Sequence, residues 1–229
     1  MPTRLSTCDP RRTFRPSRRA LFAALAAAPV LARCSSASNS AAGPLAALFS
    51  GRSVPLKEVQ DTPFASLGLR IGAGDQTMLV LATRIGSSDV WTSASQIALE
   101  IASGRILRTA GLPQNLSGTR FSGADPLAAG LDRLRQAIKD PHAVDFEDRN
   151  AHGVAIESVL APAGVEDIDV LGTRVRCLHA VEQCRAPALS WTFTNQYWAS
   201  AESGLVWRSL QNVHPALPAL EIVLFRPPK

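Results

Sequence analysis

The side chains most often used in catalysis are scattered along this chain. None of its four histidines is accompanied by a Gly-x-Ser-x-Gly nucleophile elbow. Glu166 and Asp167 are sequence neighbours, so on a strand they would point to opposite faces; with Asp169 they are more simply read as a solvated loop. We therefore predict no catalytic residues and no enzyme activity, with a triad assembled only in space as the alternative. The histidines are His142, His152, His179 and His214.

The cysteines offer a second kind of chemistry. Cys177 and Cys184 are separated by six residues, and in an oxidising compartment this pair predicts a disulfide that closes a short loop. Two buried free thiols are one alternative. A metal site including His179 is another, but the spacing matches no standard zinc pattern. Residues 72–74, Gly-Ala-Gly, lie between strands, whereas a dinucleotide site needs a helix to follow, so we predict neither metal nor cofactor.

Aromatic residues gather in two adjacent candidate strands. Paired across a hairpin, they could line a sugar-stacking or lipid-holding surface, or they could fill the open side of the sheet as core. Trp198 has the opposite parity to Trp191, Phe193 and Tyr197, so it is the better candidate for exposure. We take Trp198 and Trp207 as the possible binding surface.

The N-terminus predicts export from the cytoplasm. Residues 1–33 have the layout of a signal peptide, with a basic segment to Arg19 and an apolar run over residues 20–32. That run would measure about 20 Å as a helix, short of the ~30 Å hydrocarbon core. Arg18 and Arg19 fit a twin-arginine signal, and the general secretory route is the alternative.

Cys34 is the predicted site of lipidation. Leu31-Ala32-Arg33-Cys34 resembles the lipobox of bacterial lipoproteins, although Arg33 departs from the small residue usual before the cysteine. The Ser-rich stretch that follows suits a flexible tether, so residues 34–52 are assigned to the lipidated cysteine and tether, and 53–229 to one β-rich periplasmic domain. Cleavage elsewhere, with Cys34 incidental, is the alternative. With Ser35 next to the cysteine, the sorting rule for such proteins predicts the periplasmic face of the outer membrane. The acyl chains on Cys34, such as palmitate, would hold the protein on that membrane.

The distribution of charge argues against a nucleic-acid partner. The whole chain carries +5, but residues 1–33 hold seven arginines and one acid, so they carry +6 and the remainder carries −1. A domain this close to neutral lacks the basic footprint of a nucleic-acid-binding surface.

The remaining pattern is mostly that of strands. Residues 63–113 read as short strands joined by turns, with Ser103-Gly104 as a hairpin, and residues 55–61 as a short helix. Leucines and an isoleucine spaced by four, three and four residues predict an amphipathic helix from Asp125 to Lys139. Four more strand candidates are Val170 to His179, Leu189 to Ala199, Leu205 to Gln211 and Leu220 to Phe225. The fold class is therefore mainly β: a curved antiparallel meander, half-barrel or sandwich, with one amphipathic helix packed on it.

An ordered set of segments spans roughly residues 55–229: Pro63-Phe64-Ala65-Ser66-Leu67, Thr77-Met78-Leu79-Val80-Leu81-Ala82, Trp91, Gly104-Arg105-Ile106, Arg108-Thr109-Ala110-Gly111-Leu112-Pro113, Asp125-Pro126-Leu127, Tyr197-Trp198, Ser203-Gly204-Leu205-Val206-Trp207-Arg208-Ser209, Leu220-Glu221 and Arg226-Pro227-Pro228. This ordered set resembles the YjbF-like lipoproteins of group 4 capsule operons. The resemblance implies an outer-membrane lipoprotein that assists export or assembly of capsule or exopolysaccharide, without catalysis. It also implies a polysaccharide or an outer-membrane export porin as partner. A periplasmic carrier that holds acyl chains on a concave sheet is the alternative.

Overall fold

The structure, a computed structural model, describes residues 51–228, which form one helix and thirteen strands. No helix within this range has the length and apolar character needed to cross a bilayer. The elements are α1 (Leu56–Asp61), β1 (Ser66–Ile71), β2 (Thr77–Ile85), β3 (Ser88–Thr92), β4 (Ala98–Ala102), β5 (Arg105–Ala110), β6 (Gly118–Phe121), β7 (Ile138–Lys139), β8 (His142–Phe146), β9 (Ala151–Val170), β10 (Thr173–Ala186), β11 (Trp191–Ser200), β12 (Val206–Gln211) and β13 (Leu220–Arg226).

All the strands belong to one antiparallel sheet. Its order is β5-β4-β3-β2-β1-β13-β12-β11-β10-β9-β8-β6, with β7 paired to β9. The sheet rolls into a nearly closed barrel, which confirms the predicted curved meander. Tight turns make this order possible: Ser103 and Gly104 both have positive φ, at 49° and 86°, as a two-residue hairpin between β4 and β5 requires.

The two edge strands of the rolled sheet meet only in part. The Thr109 backbone N–H donates to the Leu116 carbonyl just before β6, at 2.8 Å. Nearer the start of β5, the side chain of Gln211 takes the place of a neighbouring strand. Its Oε1 accepts from the Ile106 N–H at 2.9 Å, and its Nε2 donates to the Gly104 carbonyl at 2.8 Å. The edge of β5 is therefore satisfied from within the barrel.

The barrel interior is filled by side chains. Alternate residues of each strand point inward, as the period of two dictates. One large cluster of buried residues includes Leu67, Leu79, Trp91, Leu99 and Phe146, and a smaller one packs around Tyr197. The centre of the barrel is thus a packed core.

The amphipathic helix predicted from Asp125 to Lys139 is wrong. Leu127 and Leu131 are buried as expected, but they lie on two short 3-10 turns, Pro126–Ala129 and Leu131–Arg133. Leu134 is partly buried just after the second turn, and the segment then extends into β7. Gly130, at φ +91°, interrupts the helical path between the turns. At the C-terminal end of the predicted helix, Ile138 pairs with Leu160 of β9, and this pairing requires extended backbone. The α-helix of the described chain is α1, which confirms the short helix predicted for residues 55–61.

A third cluster lies on the outer face of the sheet. The halves of β9 and β10 nearest their connecting turn, residues 165–175, form an extension that we call the arm. Ile168 and Val170 of the arm pack against Cys177, Trp198 and Leu210. The pairing of β9 with β10 shifts register next to Gly164, whose φ is +116°, and this irregularity marks the base of the arm.

Candidate functional site

A buried cluster of charges lies inside the barrel around Arg105. This arginine, 3% exposed, bonds to three carboxylates from three separate segments. Its Nε lies 3.0 Å from Asp125 Oδ2, its Nη2 lies 2.8 Å from Asp140 Oδ2, and its Nη1 lies 2.9 Å from both carboxylate oxygens of Glu182. Tyr197 and Asn195 add hydrogen bonds to Glu182 at 3.1 and 2.9 Å. The cluster thus joins β5, the 3-10 segment, β10 and β11.

One cation faces three acids in this cluster, and the pKa values reflect that excess. Burial raises the pKa of Asp140 to about 6, because Arg105 only partly offsets the loss of water and Glu182 adds repulsion. Burial also disfavours the charge of Glu182, but Arg105 and Asn195 outweigh it, so the pKa of Glu182 is lowered. Glu182 is therefore held as the charged counter-ion of Arg105, and Asp140, with its raised pKa, takes up a proton more readily than Glu182 does.

Asp140, His142 and Glu182 place one possible metal ligand atom each within 4.8 Å of one another. The guanidinium of Arg105 already lies between the two carboxylates, however, and the Nδ1 atom of His142 lies 3.0 Å from the Asp140 carbonyl oxygen. An arginine that neutralises the acids and occupies their oxygens leaves no room for a cation. The three residues fit an ionic crosslink better than a metal site.

A cavity of about 390 Å³ opens at one end of the barrel. The turns on either side of its mouth carry Ser87, Ala128, Ala129 and Ser203, all exposed. Gly51, the first residue described, lies at the opposite end of the barrel, where a Cβ atom on it would meet the Gly74 carbonyl. The mouth therefore lies at the end of the barrel away from Gly51.

Two tryptophans, Trp91 and Trp207, line this cavity. Trp207 is partly buried, and Trp91 is 3% exposed. Among residues 51–228, the indole N–H of Trp91 has no hydrogen-bond partner. A buried donor left in that state costs about 1–3 kcal/mol, so it marks a place where the fold alone does not satisfy its own groups. Asp89, Asp132 and Ser209 add polar groups to the wall.

The prediction that Trp198 is exposed for binding is wrong. Trp198 does lie on the opposite face of β11 from Tyr197, but it is 1% exposed because the arm covers it. Its ring stacks on His179 with centroids 4.6 Å apart, and its Nε1 donates to Glu166 at 2.8 Å. Arg208 lies over the same ring at 5.0 Å. Trp198 holds the arm in place, and of the two tryptophans proposed for binding only Trp207 lines the cavity.

The predicted disulfide between Cys177 and Cys184 is also wrong, and the alternative of two buried free thiols is what the structure contains. Both cysteines lie on β10, seven positions apart, which is roughly 23 Å along a strand. Cys177 packs in the outer cluster with Trp198, whereas Cys184 packs in the barrel core. Residues an odd number apart on a strand point to opposite faces, so they cannot meet.

The four histidines do not come together. His142 borders the ionic cluster, His179 stacks on Trp198, His214 packs edge-on against Phe146, and His152 is exposed. Glu166 and Asp167, predicted as a solvated loop, lie on β9, where Glu166 bonds to Trp198. The predicted lipidation site Cys34 and the export signal at Arg18 and Arg19 lie outside the described residues.

The sequence reasoning did not single out Arg105 and Glu182 as partners. The available signal was a charged residue at the start of a strand, directly after the hairpin glycine. The two residues are 77 positions apart, so only the fold identifies them as a pair. Trp91 was noted for its place in a motif, but its unpartnered N–H is a property of packing.

Fold and site together define a small β-barrel with a packed interior and an open cavity at one end. Residues 46–225 match the family described as "Group 4 capsule polysaccharide lipoprotein gfcB, YjbF", and this chain belongs to that family. It is 25% identical over 189 residues to the "Uncharacterized lipoprotein GfcB" of Escherichia coli (strain K12), covering 80% of this chain and 86% of that protein.

The fold is also that of a solved structure. The crystal structure of the hypothetical lipoprotein YmcC from Escherichia coli (K12) superimposes with a TM-score of 0.69 at 23% sequence identity. The match covers 77% of this chain and 90% of the YmcC chain. The relatives found are lipoproteins, consistent with attachment to a membrane.

Proposed function

We propose that this protein is a non-catalytic lipoprotein, anchored through Cys34 to the periplasmic face of the outer membrane, which assists export or assembly of a capsule or exopolysaccharide by binding the polymer. Family membership supports a role in capsule processes. The observation that carries the binding role is the cavity lined by Trp91 and Trp207. Indole rings offer flat apolar faces to a sugar ring, and the nearby carboxylates and hydroxyls can bond to sugar hydroxyls.

The ionic cluster supports a role without catalysis. A pair of carboxylates acting on a sugar needs one of them free to donate a proton to the bond being broken and the other free to act as base or nucleophile. Here Glu182 and Asp140 both bond to Arg105, and both are at most 5% exposed. The acids of this cluster crosslink the barrel.

Deletion of the gene tests the proposal. Extracellular polysaccharide should fall while its cytoplasmic precursors stay at the wild-type level, because the defect lies after synthesis. The wild-type gene should restore the polymer, and the variants Cys34→Ser and Trp207→Ala should restore less, the first by losing the anchor and the second by losing the cavity wall. Unchanged surface polymer after deletion would contradict the proposal.

The proposed partners follow from the same reasoning. The membrane is reached through the lipid anchor, and the polymer or an outer-membrane export porin is the partner in the periplasm. An acyl-chain carrier would need a long apolar cavity, whereas the barrel interior is packed with side chains and the cavity wall includes Asp89, Asp132 and Ser209. Lipid recovered stoichiometrically with the purified protein, detected by mass spectrometry, would favour the carrier instead.

A further inference from the structure

The cavity is blind. Its inner wall includes Leu67, Trp91, Ile222 and Leu224, all at most 7% exposed, and these residues belong to the cluster that fills the barrel. Leu79 and Leu99 of the same cluster are 0% exposed. A chain molecule therefore cannot thread through the barrel and out at the other end.

The mouth of the cavity is formed by three turns and one 3-10 segment. Ala128 and Ala129 lie on the 3-10 segment, and Ser87, Gly104 and Ser203 come from turns between strands. These small side chains leave the mouth open, whereas the bulky side chains lie further in. A ligand thus enters from outside and stops at the apolar inner wall.

The inner wall also carries a group that lacks a partner. The indole of Trp91 is at least nine-tenths buried, it lines the cavity, and its N–H is not bonded within residues 51–228. An indole nitrogen is a donor only, so its complement is an acceptor oxygen. This nitrogen is itself buried, so a ligand oxygen reaches it only when the ring turns or the inner wall shifts. A sugar supplies such an oxygen together with a ring face that can lie against Trp207.

From these three observations we propose that the cavity binds the terminal unit of a glycan strand, end-on, with Trp207 against the sugar ring and Trp91 as the donor at the inner wall. The proposal rests on the proposed function and sharpens it, because it names which part of the polymer is bound. A protein that binds chain ends takes one strand per molecule whatever the strand's length. A protein that binds along the strand takes more copies as the strand grows.

The stoichiometry of binding tests this directly. Extracellular polysaccharide from the same bacterium is partly hydrolysed, separated into fractions of graded length, and titrated into the lipidated protein in detergent by calorimetry. We expect one protein per strand in every fraction. A number of bound proteins that rises with strand length would overturn end-on binding while leaving polysaccharide binding intact. No binding in any fraction would overturn both proposals.

A plug at the mouth locates the site. Ala129→Trp places a large side chain at the mouth without touching the core, and we expect at least a tenfold loss of affinity for every fraction. Ala124→Trp makes the same change at an exposed position that does not line the cavity, and it should bind as the wild type does. Normal binding by Ala129→Trp would overturn the assignment of the cavity.

The donor at the inner wall is tested separately. Trp91→Phe keeps an aromatic ring and removes the N–H, so affinity should fall about two- to tenfold, the factor that one net hydrogen bond corresponds to. Trp191→Phe is the matched control, since Trp191 stacks on Phe193 away from the cavity. Thermal unfolding of each variant confirms that it is folded at the titration temperature. Equal affinity of Trp91→Phe and wild type would overturn the role of this N–H.

Discussion

Two polar regions inside this barrel differ in how completely they are satisfied. Around Arg105, the guanidinium bonds to three carboxylates, and Glu182 receives further bonds from Tyr197 and Asn195. In the cavity, the N–H of Trp91 is buried with no partner among the described residues. Burying polar groups is costly unless they are hydrogen-bonded. The satisfied region therefore has a structural role, whereas the unsatisfied N–H is available to a ligand. This difference is why the proposed ligand is assigned to the cavity and not to the ionic cluster.

The largest effect should come from breaking the ionic cluster. Arg105→Ala leaves three acids near one another without their cation, so we expect it to lower the free energy of unfolding by about 3–5 kcal/mol. Arg108→Ala is the matched control on the same strand: its side chain is 64% exposed and lies 3.9 Å from Glu100, so its loss should cost no more than about 1 kcal/mol. Urea unfolding measures both. Equal stability of the two variants would show that the cluster is not a crosslink.

The pH dependence of stability should carry the signature of Asp140. Its pKa of about 6 in the folded protein lies above the ordinary value of 3.8, so the folded state binds more protons than the unfolded chain between these values. The free energy of unfolding contributed by this group is therefore highest below about pH 4 and falls by about 1–3 kcal/mol as the pH rises to about 6. Asp140→Asn should remove that fall.

Asp145 provides an internal contrast for this measurement. Its bond with Arg120 and the Gly153 N–H lower its pKa to about 2, so its contribution is present above about pH 4 and is lost as the pH falls towards 2. The two windows adjoin without overlapping. A wild-type curve between pH 4 and 6 that is indistinguishable from that of Asp140→Asn would contradict the raised pKa of Asp140.

A pair of tryptophans sharpens the comparison between satisfied and unsatisfied groups. Trp198 and Trp91 are 1% and 3% exposed, but the first donates to Glu166 and the second has no hydrogen-bond partner within residues 51–228. Replacing either by Phe removes the same atoms. We expect Trp198→Phe to be less stable than Trp91→Phe by about 1–2 kcal/mol, because only the former breaks a hydrogen bond. The reverse order, by urea unfolding, would mean that the Trp91 N–H is satisfied in solution.

The smallest effect should come from the thiols. With Cys177 and Cys184 on opposite faces of β10, reduction has no bond between them to break, so dithiothreitol should leave the midpoint of thermal unfolding unchanged. Alkylation after denaturation, followed by peptide mass spectrometry, should label both residues fully without prior reduction. A peptide linked through these two cysteines would contradict the structure.

The sequence predicts the strands of this fold better than it predicts the irregular segments between them. Alternation at Leu67 and Leu69 and the Ser103-Gly104 turn are local signals, and local signals suffice for a hairpin. The spacing of Leu127, Leu131 and Leu134 fits a helix equally well, but the backbone at Gly130 and the pairing of β7 with β9 decide otherwise. Tertiary pairing outweighs a periodic pattern whenever the segment is short.

The candidate site is less predictable because it is built from distant residues. Trp207 could be proposed from its place among the aromatic residues, but Trp198 has the same residue type and a similar position, and only the arm makes it buried. Likewise, pairing Cys177 with Cys184 is reasonable by spacing and impossible once both lie on one strand. The face of the sheet to which a side chain points, and the segment that covers that face, are properties of the folded sheet. The residue type at one position does not reveal them.

The side-chain amide of Gln211 makes the hydrogen bonds that a neighbouring strand would make with the first residues of β5. An unpaired edge strand is a template with which strands of other polypeptides can pair. Because Gln211 already bonds to the Gly104 carbonyl and the Ile106 N–H, neither group is available to a strand of another polypeptide. In Gln211→Ala the order of the strands in the barrel would be unchanged. The Gly104 carbonyl and the Ile106 N–H would then be free to pair with a strand of another molecule.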